Sequence, residues 1–108
     1  MIYTLEQIKE IISPIARKYN LPAVYLFGSY SRGTADEDSD LDFLIDTTGT
    51  DLTTLVRLGA LYMEIEEAFQ KPIDLITLSA LTQPPQMPSD LSFRRQVFEE
   101  RKCLYVAA

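Results

Sequence analysis

The sequence predicts an α/β fold, a small sheet packed with helices. Three observations carry that expectation. Short apolar runs alternate with longer segments whose apolar residues recur at helical spacing, and turn-forming residues fall between them. The element order is helix, strand, short helix, strand, helix, strand, helix, the pattern of an α/β sandwich. A length of 108 residues suffices for one core and leaves no room for a second, so residues 1–108 are expected to form a single domain.

Thr4-Leu5-Glu6-Gln7 has the form of a capping box, and Leu5, Ile8, Ile11, Ile12 and Ile15 keep helical spacing, which predicts a first helix to about Tyr19. Pro14 falls inside it and is expected to kink it. Asn20-Leu21-Pro22 breaks the helix. Ala23-Val24-Tyr25-Leu26-Phe27 then reads as a buried strand that stops at Gly28. Residues 29–32 suit a short helix closed by Gly33. A second strand is predicted from Ser39 to Asp46, with Leu41, Phe43 and Ile45 on the core face and Asp40, Asp42, Leu44 and Asp46 on the non-core face.

Asp51 is the expected cap of the next helix, whose core residues are predicted as Leu55, Leu58, Tyr62, Ile65 and Phe69. Pro72 to Leu78 reads as a third strand. A proline-rich linker over 83–88 precedes a last helix near Asp90 to Cys103. That helix carries Arg94, Arg95, Arg101 and Lys102; their interleaving with Glu99 and Glu100 reads as a solvated face, with a grip on RNA or a partner as the other reading.

Charge narrows the chemistry. Sixteen acidic against ten basic residues leave a net charge of −6, which disfavours attachment to a phosphate backbone, so direct nucleic-acid binding is not expected. Asp36, Glu37, Asp38, Asp40, Asp42 and Asp46 concentrate the negative field, and a cation would relieve it. With no histidine and only Cys103 as a thiol, zinc sites, disulfides and imidazole catalysis drop out. Carboxylates, hydroxyls and a hard metal remain. No apolar run approaches membrane-spanning length and no leader pattern opens the chain, which together predict a cytoplasmic protein.

The most informative stretch joins a strand end at Phe27-Gly28-Ser29, after ten residues that end in Ser39, to Asp40-Leu41-Asp42. A glycine lets the backbone come close to phosphate, and Asp40 and Asp42 share one face of a strand. Asp74, between Ile73 and Leu75, is a charge in an apolar strand, where leaving it unpaired would cost several kcal/mol. If the third strand lies beside the second, Asp74 joins Asp40 and Asp42, and three converging carboxylates call for one or two Mg²⁺. A calcium loop starting at Asp36 is excluded, since Leu41 and Thr47 stand where Gly and Glu are needed. Arg32 has two readings, a bidentate phosphate contact or a partner for an aspartate of the acidic stretch. Ser31 and Ser39 are secondary candidates, and Ser39 also suits a turn.

Gly28-Ser29, the ten-residue interval and Asp40-x-Asp42 resemble the signature of the DNA polymerase beta-like nucleotidyltransferases. Arg32-Gly33 and Ser39 match the smallest branch, the minimal nucleotidyltransferases, and Ile73-Asp74-Leu75 matches the third acidic strand. The resemblance implies a mixed sheet, metal binding by Asp40, Asp42 and Asp74, and help from Asp74 in deprotonating an attacking hydroxyl. It implies ATP as donor, cradled by Gly28 and Ser29, with Arg32 and Ser39 as further nucleotide contacts. It also implies an antitoxin that transfers AMP to a tyrosine of a helical HEPN-domain RNase toxin. Two alternatives stay open: a non-catalytic antitoxin that covers its toxin, and nucleotidyl transfer to a small molecule.

Overall fold

A computed structural model describes residues 2–82 and 88–107. The element order is α1 (Leu5–Lys18), β1 (Ala23–Phe27), α2 (Gly28–Arg32), β2 (Leu41–Asp46), α3 (Leu55–Phe69), β3 (Ile73–Thr77), α4 (Leu78–Thr82), α5 (Pro88–Glu100) and β4 (Lys102–Val106). The sheet order is β3-β2-β1-β4; β1 is antiparallel to both β2 and β4, while β2 and β3 are parallel. The expected α/β architecture with a small mixed sheet is therefore present.

The first helix starts as its sequence dictates. The Gln7 N–H donates to Thr4 Oγ1 at 3.1 Å and the Thr4 N–H to Gln7 Oε1 at 2.9 Å, so two amides that the helix leaves unpaired are satisfied. The helix runs through Pro14 and buries Ile8, Ile12, Ile15 and Ala16. Thr4→Ala should cost about 1 kcal/mol of stability, read as a lower urea midpoint with an unchanged slope; an unchanged midpoint would mean that the cap contributes nothing.

The main core packs α1 and α3 on one sheet face, around Val24, Leu26, Leu41, Phe43 and Ile45. The opposite face, expected to lie outside the core, is covered as well. There Phe27 and Leu44 pack with Leu81 of α4 and Val97 of α5, and Leu44 is fully buried. Strand alternation holds as the sequence predicts, but a pattern of one apolar residue among three aspartates gives no sign of a second layer of helices.

Several element ends differ from expectation. The α3 cap is Thr54, whose Oγ1 accepts from the Arg57 N–H at 3.2 Å; Asp51 instead pairs with the Arg57 guanidinium at 2.6 Å. Leu55 is 86% exposed, and the buried residues of the helix are Leu61, Ile65 and Phe69. Strand β2 starts at Leu41 rather than Ser39, and β3 ends at Thr77, where the Thr77 side-chain oxygen accepts from the Ala80 N–H at 3.3 Å as α4 begins.

The largest difference is at the C-terminus. The last helix stops at Glu100, and Lys102–Val106 forms a strand beside β1, with Leu104 buried. Arg101 and Lys102 thus leave the helix. The Arg101 guanidinium lies 4.9 Å from the Phe98 ring centroid and 5.6 Å from that of Tyr25. Of the proline-rich linker expected over 83–88, residues 83–87 lie outside the described residues, and Pro88 is the first residue of α5. Among the described residues no helix is long and apolar enough to cross a membrane.

Candidate active site

The site forms where β1 ends. Phe27 pairs with Asp42 across the β1–β2 ladder, and Asp42 pairs with Asp74 across the β2–β3 ladder, so strand register alone sets both carboxylates beside the Gly28 bend. Gly28 has φ 75° and starts α2. A β-carbon built there would lie 2.0 Å from Asp42 Oδ2, so only glycine permits this approach of backbone and carboxylate. Ser29 follows in the first turn, and its carbonyl accepts the N–H groups of Gly33 and Thr34, which closes the short helix.

Asp42 is half-buried, and its pKa is pushed up from 3.8 to about 6. Burial is the main cause, followed by repulsion from Asp74 and Asp40; the Arg32 guanidinium opposes the shift, and a hydrogen bond with Asp74 adds to it. Asp74 itself is exposed, contrary to the expected buried charge. The reason is that β3 is the edge strand, with no further strand of the sheet beyond it to cover Asp74. Desolvation therefore does not single out Asp74, whereas strand register does. Asp40, one residue before β2, is exposed and close enough to act on Asp42.

Arg32 has a partner that neither sequence reading contains. Its Nη1 donates to Glu100 Oε2 of α5 at 2.9 Å. Ser31 is buried and donates to the Glu100 carbonyl, so the end of α5 is tied to α2 by both residues. Ser39 closes a turn: its N–H and Oγ bond to the Asp36 carbonyl and carboxylate, and its Oγ accepts from the Asp36 N–H. Tyr30 is buried in the main core with its hydroxyl accepting from Lys71 at 3.0 Å, and Tyr25 packs on the α4–α5 side.

A pocket of about 250 Å³ opens at this point, with Gly28, Arg32, Asp42 and Asp74 on one side. Its remaining walls are Phe27 and Ile76 from the sheet and Phe93, Gln96, Val97 and Glu100 from α5. The motif gives no hint of the α5 wall, because nothing in the spacing of Phe93, Gln96 and Glu100 separates a pocket wall from an ordinary amphipathic helix.

The family model described as "Polymerase beta, Nucleotidyltransferase" matches residues 6–107. The chain belongs to that family. Relatives of this nucleotidyltransferase include the protein adenylyltransferase MntA of Thermococcus cleftensis, 32% identical over 82 residues, which span 72% of this chain and 81% of the relative. A crystal structure of a toxin–antitoxin with AMP-PNP superposes at TM-score 0.68 and 26% identity, over 92% of this chain and 73% of that one. A complex of a tri-AMPylated Shewanella oneidensis HEPN toxin with an MNT antitoxin aligns at TM-score 0.65 over 96% of this chain and 74% of that one. At 22% identity, the latter is a likeness of fold.

The donor chemistry of this nucleotidyltransferase fits a hard cation, since Asp42 and Asp74 stand opposite each other with Asp40 nearby and all three offer oxygen only. Among the described residues, no three Asp, Glu, His or Cys side chains stand together as a ready-made metal cage. What the fold supplies is a crowded carboxylate pair whose repulsion a cation would remove.

Proposed function

We propose that this nucleotidyltransferase is a cytoplasmic, single-domain antitoxin that transfers AMP from ATP to a tyrosine hydroxyl of a HEPN-domain RNase toxin. The observation that carries the reading is the alignment of Asp42 with Asp74 beside the Gly28 bend, a carboxylate pair next to backbone that can approach phosphate. The likeness to a protein adenylyltransferase and to a toxin–antitoxin that holds AMP-PNP supports the choice of donor and of a protein acceptor.

Asp40, Asp42 and Asp74 would hold one or two Mg²⁺, which supply the positive charge that a triphosphate and a departing pyrophosphate need. The Gly28–Ser29 backbone approaches the phosphates without side-chain obstruction. Arg32, exposed at the pocket edge, can exchange Glu100 for a phosphate oxygen. The incoming tyrosine oxygen attacks the α-phosphorus; its bond to phosphorus forms as the bond to pyrophosphate breaks, and its proton passes to Asp74. The product tyrosine carries a phosphodiester, an added charge and bulk where an RNase must admit RNA.

Incubation with ATP, Mg²⁺ and the product of the adjacent reading frame tests this by intact-mass spectrometry. The partner should gain one or more adenylyl increments, and EDTA should abolish the gain. Neutralised toxin with no change in mass would overturn AMP transfer in favour of a binding antitoxin.

A further inference from the structure

The pocket lining joins two kinds of surface. Gly28, Arg32, Asp42 and Asp74 suit phosphate and cations, while Phe27 and Ile76 of the sheet and Phe93 and Val97 of α5 add apolar wall. A nucleoside triphosphate has one flat, weakly polar part, its base, and an apolar wall beside a phosphate site matches it.

Phe93 is the residue of that wall with an accessible ring. It is 45% exposed although it lines the pocket, and it meets Phe27 edge to face, with centroids 6.4 Å apart and planes at 85°. Phe27, by contrast, is buried. An edge-to-face contact engages one ring's edge with the other's face, so the pair leaves aromatic surface of Phe93 available for stacking. Gln96, one turn further along α5, donates to Glu100 Oε1 at 3.2 Å, which leaves its amide oxygen to accept from a base edge.

We propose that α5 forms the nucleobase subsite of this nucleotidyltransferase, with Phe93 as the stacking platform. The inference rests on the reading of the pocket as a nucleotide site and adds to it which element holds the base. It makes base binding depend on α5, outside the Gly-Ser and Asp-x-Asp motif, and it divides the ligand between two structural units. The sheet edge and α2 take the phosphates, and α5 takes the base.

The test compares Mg²⁺-dependent binding of ATP and of inorganic tripolyphosphate to the full chain by calorimetry. Phe93→Ala should weaken ATP binding about tenfold, the scale of losing one base–aromatic stack. Tripolyphosphate affinity should stay within about twofold, and Phe93→Tyr should restore ATP binding. Equal weakening of both ligands, or unchanged ATP affinity in a folded Phe93→Ala protein, would overturn the subsite. If Phe93→Ala does not fold, Phe93→Leu, which keeps apolar bulk without a π face, takes its place under the same two outcomes. Failure of the wild-type chain to bind either ligand would instead overturn the nucleotide site itself, so the two failures are distinguishable.

Discussion

Asp42→Asn is expected to abolish AMP transfer and at the same time to make the metal-free protein more stable at neutral pH. The activity loss, on the order of 10³-fold or more, follows from removing a charge that must balance cations and triphosphate in a half-buried site. The stability gain follows from the raised pKa. The folded-state value of about 6 lies above the ordinary 3.8, so between those limits the folded protein binds more protons than the unfolded chain. Stability therefore falls as pH rises from about 4 to 6 and stays at the lower plateau above that. Asn has nearly the same shape and no charge, so it removes this penalty.

After discounting for solvent screening of a half-exposed group, the gain at pH 7.5 is about 1–2 kcal/mol, or roughly 4–8 °C in Tm for each kcal/mol. Thermal melts in EDTA at pH 4.5 and 7.5 check the sign. The gap between Asn variant and wild type should be wide at pH 7.5 and narrow at pH 4.5. A gap of equal size at both values would mean that carboxylate crowding is not what sets it.

The second large effect is at Gly28. An alanine there must adopt φ 75° and place its β-carbon 2.0 Å from Asp42 Oδ2 and 3.0 Å from its Cγ. The left-handed backbone alone costs about 1–2 kcal/mol for a residue with a β-carbon. Displacing a carboxylate held by strand register adds to that, so a total of about 3 kcal/mol or more is expected, with loss of transfer activity because Asp42 is pushed off its position. Gly33 provides the control: it has φ 76°, but a β-carbon added there would meet nothing within 4 Å, so Gly33→Ala should cost only the backbone part. Equal melting temperatures for the two variants would show that close approach to Asp42 is not the reason for glycine at position 28.

The order of elements and the location of the site are legible in the sequence wherever a short-range pattern controls the outcome. Thr4 and Gln7 close a capping box because they are three residues apart, and Ala23–Phe27 forms a strand because the run is apolar and bounded by a turn on one side and Gly28 on the other. Asp40 and Asp42 sit on one face for the same local reason. The strand at Lys102–Val106 is not legible, because Cys103, Leu104 and Tyr105 suit a helix end as well as a strand, and only pairing with β1 decides between them. Leu55 keeps helical spacing but, as the first residue of α3, is left exposed.

The sequence by itself determined the glycine bend, the two aspartates on one strand face, an acidic protein without imidazole chemistry, and the family these belong to. Tertiary structure alone decided that Asp74 is an exposed edge residue beside Asp42, that Glu100 holds Arg32, and that α5 closes the pocket. The division has one cause. Backbone periodicity and capping act over a few residues and are written in their order, whereas strand neighbours and helix layers join residues tens of positions apart, and their choice depends on which surfaces the whole chain can bury together.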